Sequence, residues 1–242
     1  MYNTLVMDKT QLTKPLHIAI DGPVAAGKGT IAKRLAQELG FLYVDTGAMY
    51  RCSAVIALEN NLSMEEEERI AGATDEADIE MYDRRNLETG EITTVVELNG
   101  ADVTERIRLR EIDRLVPKVA AMAKVRAVLV KKQQKIAVGK DVIMEGRDIS
   151  SVVLPNADLK IFLTADVEER TRRRLLQYRE RGNGMISYEE VKAELESRDE
   201  MDLNRKSDPL RQVTGAWLLD TTNIGIEEAA QMIAVKLKSM LK

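Results

Sequence analysis

Leu16-His17-Ile18-Ala19-Ile20-Asp21-Gly22-Pro23-Val24-Ala25-Ala26-Gly27-Lys28-Gly29-Thr30 is the stretch that decides the fold. Its first five residues form a nearly unbroken apolar run, as expected of a buried strand in a parallel sheet. Beyond it Ile31, Leu35 and Leu39 recur every four residues, with Ala32 and Ala36 beside them, and Gly40 follows. That is the apolar stripe of a helix with a natural stop. Strand, glycine-rich turn and helix in this order are the context of a phosphate-binding loop. Glycines let the backbone approach an anion closely. Backbone N–H groups and the helix N-terminus then supply positive potential. Lys28 adds a mobile full charge for the outer phosphates.

Working outward, four more short apolar runs read as parallel strands: Leu42–Val44, Val142–Met144, Leu159–Leu163 and Trp217–Leu219. Helical patterns separate them. The expected class is α/β, a P-loop NTPase-type parallel five-stranded sheet flanked by helices. Val44 leads into Asp45-Thr46-Gly47, and Met144 leads into Glu145-Gly146-Arg147-Asp148. Ligands of open α/β sheets bind off the carboxyl ends of the strands. The glycine loop and these two clusters are therefore expected to converge.

Between Asp78 and Val103 the alternation breaks. Ile79–Tyr82, Thr93–Leu98 and Ala101–Val103 read as antiparallel strands, with turns at Thr89-Gly90 and Asn99-Gly100. This predicts a small antiparallel β insert (residues 63–106), entered through a helix seeded by Ser63 and Glu65–Glu68. Helices are expected over Ile107–Leu115 and Val119–Ala137, with Pro117 as the breaker between them. Ile226–Leu241 reads as a closing amphipathic helix.

The chain has 242 residues, 44% apolar and 31% charged, with a net charge of −4. That balance supports a full core and offers no global attraction to nucleic acid or membrane. Cys52 is the sole cysteine, which excludes an internal disulfide. His17, the sole histidine, falls in a strand and is expected to be a packed core residue. Residues 1–15 are polar and mixed, without a signal-peptide core, and read as an N-terminal extension to a P-loop domain spanning 16–242. A cytoplasmic monomer is expected.

Arginines narrow the chemistry. Arg51 and Arg147 follow strand ends, so two guanidiniums beside a phosphate loop are expected to face a second anion. Arg198, Asp202 and Arg205, spaced by four and three, are expected on one helical face. Arg170, Arg172, Arg173, Arg174, Arg179 and Arg181 crowd one segment, expected as a lid (168–188) closing on the donor. Glu168, Glu169 and Glu180 among them leave a solvated helix laced with ion pairs as the alternative for some. A nucleotide-dependent switch would have no use for an arginine cluster aimed at a second phosphate. A nucleic-acid module is disfavoured by the acidic charge.

The chain resembles the bacterial cytidylate kinase family, among the nucleoside monophosphate kinases, which share Gly-Lys-Gly-Thr. The matching stretches are Ile20-Asp21-Gly22-Pro23 with Gly27-Lys28-Gly29-Thr30, Asp45-Thr46-Gly47-Ala48-Met49-Tyr50-Arg51, and Gly146-Arg147-Asp148-Ile149. Lys160-Ile161-Phe162-Leu163 matches too, as do Arg198-Asp199, Asp202, Arg205 and Pro209-Leu210. The resemblance implies transfer of the γ-phosphoryl of ATP to CMP or dCMP in pyrimidine nucleotide metabolism. It implies ATP binding by Gly22, Pro23, Val24, Ala25, Ala26, Gly27, Lys28, Gly29, Thr30 and Arg170. It implies that Arg51, Arg147 and Arg205 hold the CMP phosphate, Arg198 and Asp202 contact the sugar, and Thr46, Arg126 and Asp148 face the base. Lys28, Arg147 and Arg174 would be catalytic. Mg²⁺ would arrive with ATP, without a dedicated protein site, Thr30 being within reach. The residue types suit cytosine: a carboxylate accepts from N4 and an arginine donates to N3 or O2, whereas uracil would repel the carboxylate. UMP, AMP or shikimate as the acceptor is the rival within enzymes. Three departures stand out: Pro117 replaces a common serine, Glu145 a common aspartate, and Ser150-Ser151 a Gly-Thr.

Overall fold

A computed structural model describes residues 14–85, 92–180 and 186–240. Along the chain run β1 (His17–Asp21), α1 (Lys28–Leu39), β2 (Leu42–Asp45), α2 (Thr46–Glu59), α3 (Glu67–Glu76), β3 (Ile79–Arg85), β4 (Ile92–Leu98) and β5 (Ala101–Asp102). Then follow α4 (Arg110–Ala121), α5 (Ala123–Ala137), β6 (Val142–Gly146), β7 (Leu159–Thr164), α6 (Val167–Glu180), α7 (Tyr188–Asn204), β8 (Trp217–Asp220) and α8 (Ile226–Met240). The described residues divide into two compact units. One comprises the chain up to Asp45 and from Gln134 onward; the other is Thr46–Gln133.

The first unit is built on a five-stranded parallel sheet of order β2-β6-β1-β7-β8. Ile18 and Ile20 of β1, Ile143 of β6, Ile161 and Leu163 of β7 join one apolar core with Ile31 and Leu35 of α1 and Ile233 and Leu237 of α8. Each fully buried aliphatic side chain contributes about 1.5–3 kcal/mol, so this layer anchors both helices to the sheet. Gly40 ends α1 at φ 65°, the left-handed geometry its position anticipated. Asp21 lies level with Gly146, and Asp45 with Glu145. The carboxyl ends of β1, β2 and β6 thus finish at one edge, as expected for the glycine loop, Asp45 and the Glu145–Asp148 cluster; Thr46 and Gly47, the rest of the cluster after β2, belong to the second unit. His17 is half-buried in β1.

In the second unit, β3, β4 and β5 form an antiparallel sheet. Asn99 and Gly100 link β4 to β5 with φ of 52° and 78°, the paired positive values a tight hairpin turn requires. The expected turn at Thr89-Gly90, like residues 1–13 and Arg181, lies outside the described residues. α2 is buried over ten of its positions, including Cys52.

Three local expectations are corrected. Pro117 does not break the chain: it lies inside α4, and the helical run is interrupted at Met122, at φ −72° and ψ 113°. A proline inside a helix costs about 3 kcal/mol. Burial of Ile112, Val116, Val119 and Ala120 along one face of α4 contributes roughly 5–9 kcal/mol at about 1.5–3 per large side chain, which decides for the helix. Ser63 does not seed α3. Its N–H donates to Glu66 Oε2 at 2.8 Å and its carbonyl accepts from the Glu66 N–H at 3.0 Å, closing a separate turn before Glu67. Arg205 stands one residue past α7, in extended geometry, so it does not share the helical face of Arg198 and Asp202. Among the described residues, no helix is long and apolar enough to cross a membrane.

Candidate functional site

The loop between β1 and α1 is shaped by its glycines. At Gly22, φ is 153° and a Cβ would run into the Leu163 carbonyl oxygen of the neighbouring strand. Only glycine fits, because backbone cannot yield as a side chain can. Gly27 (φ 94°) turns the chain into the first turn of α1. At Gly29 a Cβ would stand 2.6 Å from Glu145 Oε1 and 3.3 Å from the Tyr43 hydroxyl, so a larger residue there would force those side chains to shift. Tyr43 donates to that same Glu145 oxygen at 2.8 Å.

Lys28 is buried and its Nζ donates to the Pro23 carbonyl at 2.8 Å, curling over the loop. Burial, reinforced by the Arg147 charge, pushes its ammonium down to about 7, against the pull of Glu145, Asp202 and Asp21. Burial pushes the Glu145 carboxyl up, aided by Asp45 and opposed by Lys28 and Tyr43. These are charges held close together in a poorly solvated space. An arriving polyphosphate would relieve the crowding of Lys28 and Arg147.

Arginines brace the loop from behind. Arg170 is buried; it donates to the Ala165 carbonyl at 2.9 Å, to the Val24 carbonyl at 3.3 Å and to Asp199 Oδ2 at 2.6 Å. Arg173 donates to the Ala26 carbonyl at 3.4 Å, the Thr221 hydroxyl at 3.1 Å and the Thr221 carbonyl at 2.6 Å. The Thr221 hydroxyl itself lies 3.1 Å from the Ala26 carbonyl. Tyr178, Val191 and Leu195 of α6 and α7 make an apolar cluster against Val24 and Ala25. Arg174 lies over the Tyr178 ring at 4.5 Å. Arg172 is exposed and pairs with Glu169, as on a solvated helix.

Arg147 leaves the end of β6 and donates from Nε to Asp202 Oδ2 at 2.7 Å. Arg198 approaches the same oxygen at 3.6 Å. Burial works to raise the Asp202 carboxyl, but Arg147, Arg198 and Arg205 hold it below the ordinary range. Arg205 stands 3.5 Å from Asp148 Oδ1 and donates to the Asp208 carbonyl at 2.7 Å. Lys28, Arg147, Arg198, Arg205, Asp148 and Asp202 are therefore gathered on the first unit at one edge of its sheet.

The remaining expected residues belong to the second unit. Thr46 is buried as the first residue of α2, one turn before Tyr50. Arg126 of α5 is buried with its guanidinium 5.7 Å from the Tyr50 ring centre, donating to the Tyr50 hydroxyl at 3.1 Å. Arg51 pairs with Asp113 Oδ1 at 2.5 Å and donates to the Ile107 carbonyl at 3.0 Å. Tyr50, Asp113, Asp208, Tyr43 and Thr221 went unassigned in the sequence. Tyr50 had a signal, the one-turn spacing from Thr46; Asp113 and Thr221 lie far along the chain from their partners and had none.

Among the described residues no group of three metal-ligating side chains is assembled. Magnesium commonly takes one or two protein oxygens plus phosphates and water. The exposed Thr30, in the first turn of α1, offers one hydroxyl oxygen of the kind such an ion takes.

A family profile described as cytidylate kinase matches residues 18–239. A curated cytidylate kinase of Caldanaerobacter subterraneus subsp. tengcongensis is 47% identical over 216 residues, covering 89% of this chain and 92% of its own. That of Bacillus subtilis is 42% identical over 230 residues, covering 94% of this chain and all 100% of its own. Among solved structures, an uncharacterized protein from Eubacterium ventriosum is similar with a TM-score of 0.52 at 12% identity, over 93% of this chain and 99% of that one, a likeness of fold alone.

Proposed function

The chain belongs to the cytidylate kinase family, and from that premise we propose how its own residues perform the reaction. It transfers the γ-phosphoryl group of ATP to CMP or dCMP, giving CDP or dCDP and ADP. The observation that carries the reading is geometric: the glycine loop bearing Lys28 leaves the end of β1, Arg147 leaves the end of the adjacent β6, and Asp21 lies level with Gly146, so both cationic side chains start from one edge of the sheet. The donor phosphates bind the loop from Gly22 to Thr30, with Arg170 bracing it. Lys28 leaves the Pro23 carbonyl for the β- and γ-phosphates. Arg147, with Arg205 and Arg51, holds the acceptor phosphate. Arg198 and Asp202 meet the sugar hydroxyls. Asp148 accepts from cytosine N4, while Arg126 and Thr46 serve the rest of the base.

An acceptor phosphate oxygen is already ionised at neutral pH, so no general base is needed. That oxygen forms the new bond to the γ-phosphorus as the bond to the β,γ-bridging oxygen breaks, and ADP leaves with the electron pair. Lys28, Arg147 and Arg174 spread the charge on the transferring group, and alignment supplies much of the acceleration. Mg²⁺, bound with ATP, supplies neutralisation of phosphate charge. Residues 168–188 act as the lid that excludes water, and residues 63–106 as the insert that serves the nucleoside monophosphate. The protein works as a cytoplasmic monomer without nucleic-acid or membrane partners. ADP formation from ATP, measured separately with CMP, dCMP, UMP, AMP and shikimate, tests the reading. CMP-dependent turnover well above that with UMP is expected; equal rates with both would refute the base assignment, and no acceptor-dependent turnover would refute the kinase.

A further inference from the structure

Asp21 has no part in the chemistry above, yet it is one of the most deeply placed carboxylates of the first unit, with 2% of its surface exposed. It ends β1, and the loop begins at the next residue. Its Oδ1 accepts the Ile149 backbone N–H at 2.7 Å, and its Oδ2 accepts the Ser150 N–H at 2.8 Å. Those amides belong to the two residues that directly follow Arg147 and Asp148. The strand register explains the reach: Asp21 lies beside Gly146, so the chain leaving β6 turns over the end of β1. The turn then closes on itself, with the Asp148 carbonyl accepting from the Val152 N–H at 2.9 Å and from the Ser151 hydroxyl at 3.3 Å. Asp21 is also near enough to Lys28 for its charge to favour the ammonium.

We propose that Asp21 is a positioning residue that locks the Arg147-Asp148 turn to the root of the donor loop, setting the place of the acceptor phosphate and base relative to the γ-phosphate. This rests on the cytidylate kinase reading for what Arg147 and Asp148 bind. Both carboxylate oxygens face N–H donors, and charge-assisted bonds of this kind are the stronger sort. Asparagine, of the same shape, presents an NH₂ donor to one of the two amides, and that grip is lost. A shift of about 1 Å in a substrate-positioning group can cost on the order of 10²-fold in rate.

The experiment compares wild type with Asp21→Asn in three measurements: steady-state kinetics with CMP and UMP, the Kd of ATP by calorimetry, and amide hydrogen exchange at Ile149 and Ser150. In the variant, kcat/KM for CMP is expected to fall roughly 10- to 100-fold and the CMP-over-UMP preference to shrink. The Kd of ATP should rise by a clearly smaller factor than kcat/KM for CMP falls, and the two amides should exchange faster. Unchanged CMP kinetics, or equal losses of ATP binding and CMP use with the preference intact, would overturn the proposal. Should the variant fail to fold, the wild-type protein decides it: both amides are expected to exchange as slowly as those in the centre of β1, and rapid exchange overturns the lock. A wild-type enzyme without CMP-dependent turnover would sink the kinase reading instead, while the exchange data would still judge the lock.

Discussion

Replacing Asp202 with asparagine isolates the electrostatics that organise the guanidinium cluster. The carboxylate is 4% exposed and receives Arg147 at 2.7 Å, with Arg198 at 3.6 Å. Removing one member of a buried ion pair costs about 3–5 kcal/mol. Asparagine keeps the shape and an acceptor oxygen, and a charge-assisted bond is about twice as strong as a neutral one, so the expected loss is about 2 kcal/mol. For a chain of this length that corresponds to a fall in Tm of about 4–8 °C. The pH dependence follows from the sign of the shift. The folded carboxyl titrates below its ordinary value, so its stabilisation is fully present above the unfolded value of about 3.9 and is lost as pH falls through the lower folded value. Urea denaturation of wild type and variant should therefore show a constant gap from pH 7 to about 4.5 and a narrowing gap below about 4. A gap below about 0.5 kcal/mol at pH 7, or one that widens on acidification, would refute the claim that Asp202 is the counter-charge of this cluster.

Lys28→Ala should lower kcat by at least about 10²-fold, by analogy with loss of a charge-stabilising donor, with the circular dichroism spectrum and cooperative unfolding retained. Gly22→Ala should cost roughly 3 kcal/mol or more, seen as a lowered urea midpoint or as insoluble protein, because the new Cβ meets the Leu163 backbone. Arg126→Met should raise KM for CMP by about tenfold or more while leaving KM for ATP within about twofold, since a base-facing hydrogen bond is worth about 1.5–3 kcal/mol when one partner is charged. A matching rise in both constants would speak against its place at the base.

Much of the fold is written locally. The strand–loop–helix at Leu16–Leu39 declares itself through residue spacing, as do the five apolar runs and the hairpin at Asn99-Gly100, because each element's pattern is a property of its own few residues. Pro117 shows the boundary of such reasoning. Its local preference is to end a helix, but the buried face of Ile112, Val116 and Val119 outweighs it, and that burial belongs to the whole second unit. Arg205 shows it again, since a spacing of three continues a helical face only if the helix continues. The family resemblance added acceptor roles that spacing alone left open.

The sequence by itself determined that a phosphate loop follows a buried strand, that three apolar runs lead straight into polar clusters, and that arginines from Arg170 to Arg181 crowd one segment. The tertiary structure alone decided the sheet order, which seats β6 directly beside β1. It thereby decided that Arg147 meets Asp202, 55 residues away, and that Asp21 grips amides 128 and 129 residues away. Local spacing encodes periodicity and turn chemistry. Which charge neutralises which is settled only when burial removes water and leaves each buried carboxylate to satisfy its oxygens from whatever donors the packed strands bring within reach.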